Sequence, residues 1–118
     1  MKVTLNGLDY AIRFTRDGDK KTYCDIKVGG VGQSPKEMTF HVVGSAQRMS
    51  IDKFDKVEGY KLALERAMKA LNLKRWEQRA DSLALKKEDR VKIWAAFRKW
   101  VEDNKIKTKF DITRLPAA

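Results

Sequence analysis

The sequence predicts an α+β domain: an N-terminal antiparallel sheet of three or four strands packed against two C-terminal helices. Two observations carry this. Apolar residues alternate at period two through the first half of the chain, and they recur at three- and four-residue intervals through the second. Because the two patterns are segregated and not interleaved, they predict a sheet covered by helices, not a parallel βαβ array.

The strands follow in order. Asn6-Gly7 tolerates the positive φ angles of a type I′ turn and separates Val3-Thr4-Leu5 from Tyr10-Ala11-Ile12-Arg13-Phe14. Asp17-Gly18-Asp19 makes the next turn. In Thr22 to Val28, Cys24, Ile26 and Val28 alternate with Asp25 and Lys27. Gly29-Gly30-Val31-Gly32-Gln33-Ser34-Pro35 reads as a loop, and Met38 to Val43 as a fourth strand ended by Gly44.

The first helix is expected over Phe54 to Leu71, with Val57, Tyr60, Leu64, Ala67, Met68 and Leu71 on one face and Asp52 as N-cap. Gly59 disfavours helix by about 1 kcal/mol relative to alanine, so the regular part is expected from Tyr60. The second helix is expected from Lys87 to Asp103, with Ile93, Trp94, Phe97, Trp100 and Val101 in one arc and Lys92, Lys99 and Asp103 opposite. The segment 73–84 fits either a short helix or an ordered connection. Residues 1–104 make one domain, and 105–118 a basic tail or an edge strand whose alternating lysines discourage further pairing. Tyr10, Ile12, Phe14, Ile26, Phe40, Leu64, Met68, Trp94 and Phe97 are the expected core.

One cysteine and one histidine leave no set for a disulfide or a zinc site, and no cofactor is expected. The chain shows neither a signal peptide nor an apolar run of membrane-spanning length, so a cytoplasmic protein is expected. His41 stands alone as an imidazole, and Cys24 falls among apolar strand positions, so neither has a partner at catalytic spacing. The adjacent acids Glu88-Asp89 and Glu102-Asp103 point about 100° apart on a helix and do not converge; the first pair suits the positive end of the helix dipole. The glycines at 29–32 lack the lysine and following helix of a phosphate loop. A non-enzymatic protein is expected.

Charge is the remaining signal. The chain carries a net +10, and residues 61–118 hold sixteen Lys/Arg against eight Asp/Glu, whereas residues 1–60 hold ten against eight. Solubility alone accounts for some of that excess. Its concentration in the helical half also suits a polyanion. Lys61 and Lys69 on the first helix, Lys92 and Lys99 on the second, and Lys74, Arg75 and Arg79 in or near the connection form the candidate surface. Trp94 and Trp100 read as core, whereas Trp76, flanked by Lys74, Arg75 and Arg79, has the setting of a stacking platform. Nucleic acid, through its phosphates, is the first expected partner, and a protein with an acidic surface, or one that itself holds nucleic acid, is the second.

Gly44-Ser45-Ala46, Asp52 to Lys56, Gly59-Tyr60-Lys61-Leu62-Ala63-Leu64-Glu65-Arg66-Ala67, Arg90 and Trp94 together resemble a loose class of small tailed-bacteriophage accessory proteins. In that class a strand region precedes a Gly-x-Lys-x-Ala-Leu-x-Arg-Ala helix and a later Arg-x-x-x-Trp helix. The resemblance covers roughly residues 2–103 and implies a phage context and the host cytoplasm, and so a host protein as that second partner; it transfers no catalytic or binding residue. Double-stranded-RNA-binding domains share three strands followed by a basic helix. The lysine cluster that opens their closing helix is reduced here to Lys61, and no preceding helix is evident, so that family is set aside.

Overall fold

The computed structural model describes residues 1–18, 20–47 and 56–106. Four strands, β1 (Lys2–Leu5), β2 (Leu8–Asp17), β3 (Lys21–Gly30) and β4 (Phe40–Gln47), precede α1 (Lys56–Glu77), a short 3₁₀ turn (Asp81–Leu83) and α2 (Lys87–Asp103). The sheet is antiparallel in the order β1-β2-β3-β4, so the predicted α+β architecture with two C-terminal helices is the one the chain adopts. Asp19, the expected N-cap Asp52 and the expected tail beyond Ile106 lie outside the described residues.

The β1–β2 turn has φ 52° at Asn6 and 77° at Gly7, the two positive angles that Asn-Gly was expected to supply. Register then fixes the faces. Tyr10 opposes Val28, Ile12 opposes Ile26, and Phe14 opposes Cys24, while Ile26 and Cys24 oppose Val42 and Gly44. These positions share one face, and α1 and α2 pack on it.

Of the expected core, Tyr10, Ile12, Ile26, Leu64, Met68, Trp94 and Phe97 are buried, and Phe14 and Phe40 are half-buried against the same cluster. Burying a side chain such as Leu64 or Ile93 contributes about 2 kcal/mol. Aromatic rings join the sheet to both helices. Phe14 lies 5.1 Å from Tyr60 of α1 and 4.8 Å and 5.7 Å from Trp100 and Phe97 of α2, centroid to centroid, each pair worth about 1 kcal/mol beyond its burial.

Four local expectations are corrected. Gly44 does not end the fourth strand: β4 starts at Phe40 and continues through Gly44 to Gln47, because α1 crosses there too closely for a side chain. Gly29 and Gly30 belong to β3 and not to the loop. Helix is already present at Lys56, so Gly59 lies inside it, where its missing side chain leaves room for Thr22 Oγ1, 3.0 Å from where a Cβ would stand. Finally, α1 runs past Leu71 to Glu77, which makes the first part of the 73–84 segment helical.

One polar cluster ties the sheet's first hairpin to the β3–β4 loop. Asp9, almost wholly buried, accepts hydrogen bonds from Thr4 Oγ1 (2.6 Å) and the Gly32 backbone N–H (3.0 Å), and Lys2 Nζ stands 3.0 Å away. These donors, Thr4 foremost, hold the Asp9 carboxyl down at about 2. Since the folded value lies below the ordinary one, Asp9 stabilises the fold above about pH 4, and that contribution is lost as pH falls towards 2. The expected result is that Asp9→Asn lowers the urea midpoint at neutral pH and that its deficit against wild type shrinks steadily on acidification. A deficit independent of pH would assign the role to packing and not to the charge.

Candidate nucleic-acid interface

Both helices lie on one side of the sheet, so their outer faces point away from it together. Along α1 the buried positions Val57, Ala63, Leu64, Ala67, Met68 and Leu71 form the inner stripe. The opposite crest carries Leu62, Lys69, Leu73 and Trp76, all exposed. On α2, Ile93, Trp94, Phe97 and Val101 are buried, and Lys92 and Lys99 are exposed. Among the described residues Lys69, Arg79, Lys92 and Lys99 make no ion pair.

The other candidate cations have work within the fold. Arg75 is 3% exposed: its guanidinium lies 5.3 Å and 5.4 Å from the Tyr10 and Phe40 ring centroids and donates to the Leu83 carbonyl. It is a core residue and not a surface cation, because the slot between two strand aromatics desolvates it while the carbonyl satisfies it. Lys61 is half-buried and already engaged.

Lys74 is half-buried as well, and strand geometry explains why. Met1 and Ile12 exchange both backbone hydrogen bonds, at 2.8 Å each. Given the register, the even-numbered residues of β4 then pair with β3 and the odd-numbered ones turn their carbonyls outward. Lys74 Nζ donates to the His41 carbonyl at 3.0 Å and sits 4.6 Å from the Phe40 centroid; Arg66 Nη1 donates to the Ser45 carbonyl at 2.7 Å. Two cations of α1 thus cap the free edge of β4, a device that discourages strand addition.

The connection between the helices is held back against α1. Asn72 accepts from the Leu85 backbone N–H (2.7 Å) and donates to its carbonyl (3.3 Å). Arg90 Nη1 donates to the same carbonyl at 2.9 Å. At the start of α2, the Asp89 carboxylate accepts from the Lys86 backbone N–H at 3.0 Å, which matches the expected role of acids in the first turn.

The far face of the sheet escaped the sequence reading. No described helix covers it; the β3–β4 loop reaches over its Asp9 and Gly29 end, where Met38 is buried, and a concavity beside the loop is lined by Lys2, Ala11, Arg13, Lys27, Pro35 and His41, with Phe14 and Trp100 at its rim. Strand alternation sets Ala11, Arg13, Asp25 and Lys27 opposite the apolar positions, but nothing in the pattern says that such residues face a shared hollow. His41 Nε2 lies 2.8 Å from Asp25 Oδ1, the partner a sheet histidine finds on the adjacent strand. Cys24 is fully buried, and that burial pushes its thiol pKa far up, away from the reactive thiolate.

Among the described residues no group of three or more His, Cys, Asp or Glu is placed to hold a metal, and no helix is long and apolar enough to cross a membrane. Compared with protein-family models, curated proteins and solved structures, the chain finds no match in any of the three.

Proposed function

We propose that this protein is a small, non-enzymatic phage accessory protein that binds nucleic acid in the host cytoplasm through the outer faces of its two helices. The observation that carries this reading is the set of exposed cations that make no ion pair among the described residues, Lys69 and Arg79 with Lys92 and Lys99, on the same side of the sheet in a chain of net charge +10. Phosphate is the complementary ligand for such a surface, and it requires no base-specific geometry.

Binding of this kind releases counterions, so affinity falls as salt rises, with a log–log slope of about −0.7 to −0.9 per phosphate contacted. Reversing Lys92 and Lys99 to glutamate is expected to weaken binding about equally for all sequences and to make the slope shallower by roughly two contacts' worth. Reversal of exposed Asp17 should not weaken it. The check is a salt titration of DNA and RNA binding for wild type and both variants. Wild-type protein that binds neither at low salt would reject the reading. It would also move weight to the second one, docking on a host protein, which the exposed Leu62, Leu73 and Trp76 on the α1 crest favour.

A further inference from the structure

The C-terminal corner of α1 combines two features that cost the fold something. The first is Trp76. The residue is 67% exposed, Leu73 one turn earlier is 56% exposed, and Trp76 makes no ring contact with another described residue. An indole left in water forgoes the burial that the protein's other tryptophans obtain, Trp94 in the core and Trp100 among Phe14, Tyr60 and Phe97.

The second is Arg79. The Ala80 N–H donates to the Arg75 carbonyl (2.7 Å) and the Arg79 N–H to the Trp76 carbonyl (3.0 Å), the paired bonds of a Schellman ending. That motif requires a left-handed residue at the position after the cap, and Arg79 occupies it with φ 57°. Glycine enters this region without strain; arginine does not. The helix dipole, which favours a cation here, offsets part of the cost, and Lys105 holds the matching position after α2 with φ 51°. What distinguishes Arg79 is its neighbour: its backbone is bonded to the residue that carries the exposed indole, and its own side chain is exposed and makes no ion pair among the described residues. Hydrogen bonds with Asn72 hold Leu85 against α1 one turn before Trp76, and exposed Lys86 is the next residue along the chain.

We infer that this corner is a stacking site for an unpaired base, with Trp76 as the platform and Arg79 and Lys86 on the flanking phosphates, so that the preferred ligand is single-stranded nucleic acid. The inference rests on the proposed nucleic-acid binding and adds the class of strand. In a duplex both faces of every internal base are already stacked, and a lone indole on a helix crest has nothing to stack on. An unpaired base offers its face to any aromatic ring whatever the sequence.

The experiment measures binding of a fluorescein-labelled oligothymidine and of a duplex of equal length at fixed low salt. It compares wild type, Trp76→Ala, Trp76→Phe, Arg79→Gly and the Lys92→Glu/Lys99→Glu double variant. The expected result is tighter binding of the single strand by wild type. Trp76→Ala should lose about 5- to 100-fold on the single strand and change duplex binding less than about twofold, with Trp76→Phe recovering most of the loss. Arg79→Gly should melt at the same temperature as wild type or higher, since glycine relieves the strained φ, and still bind the single strand more weakly. Retention of single-strand affinity by Trp76→Ala, alongside loss in the lysine double variant, would overturn the stacking site and leave the phosphate surface standing. Equal losses on both ligands from Trp76→Ala would overturn it as well. Wild-type protein that binds neither ligand would instead remove the proposed function on which the site depends.

Discussion

Gly44→Ala is expected to destabilise the protein by about 3 kcal/mol, at the upper end of what overpacking a core costs. A Cβ at this position would collide with the carbonyl oxygen of Ala63 and the backbone nitrogen of Ala67, and would lie 2.8 Å from the Ala67 Cα. None of these atoms belongs to a side chain that could swing aside. The methyl could be accommodated only by lifting α1 from β4, which would open the packing of Leu64, Ala67 and Met68 on the sheet together. The alanines at 63 and 67 are part of the same arrangement, because two small side chains on the helix and none at Gly44 on the strand let the backbones meet. Urea unfolding followed by tryptophan fluorescence measures the loss. A midpoint within experimental error of wild type would show that the helix sits farther from the strand than described. Gly30→Ala makes a matched control: a Cβ there meets only the Gln33 side chain, at 3.8 Å or more, and a loss below about 1 kcal/mol is expected.

Periodicity made most of this fold legible, and where it misled, the reason is local. The two halves announce sheet and helix because the residues facing the core in each must be apolar at the period of that element, and Tyr10, Ile12, Ile26, Leu64, Phe97 and Trp94 all obeyed. Gly44 has the composition of a strand terminator, while its use here, close approach to a helix far along the chain, leaves no mark on neighbouring residues. The helix was expected to stop at Leu71 because the apolar stripe stops there. The stripe in fact continues one turn further at Arg75, a charged residue in a core position. The same blindness affected the candidate surface. Lys69, Lys92, Lys99 and Arg79 lie where helical phase and composition put exposed cations. Lys74 and Arg75 differ from them only through Phe40, Tyr10, His41 and Leu83, partners brought close by the tertiary fold.

Arg75 therefore carries the second large expectation: Arg75→Ala should cost about 3 kcal/mol and should loosen the connection between the helices more than the sheet. Three losses contribute. Truncation strips packed side chain from between Tyr10 and Phe40, removing cation–π contacts worth about 2 kcal/mol each when desolvated. It leaves the Leu83 carbonyl without its guanidinium donor, a further cost of about 1–3 kcal/mol if water does not reach it. The exposed flank of the corner also loses its inner support, because Leu83 and Asn72-bound Leu85 are what hold the connection against α1. The three overlap, so their sum is an upper bound. Arg75→Met separates them: it keeps most of the apolar stem and discards the charge and the hydrogen bond, so it should recover part of the packing and none of the tether. Hydrogen exchange on the two variants is the decisive measurement. Amides of the connection and the start of α2 should lose protection in both, while those of β2 and β3 should change only as global stability does. Uniform loss across all elements in Arg75→Met would mean that Arg75 serves the core alone. Wild-type stability in Arg75→Met would mean that the bond to Leu83 contributes nothing to the fold.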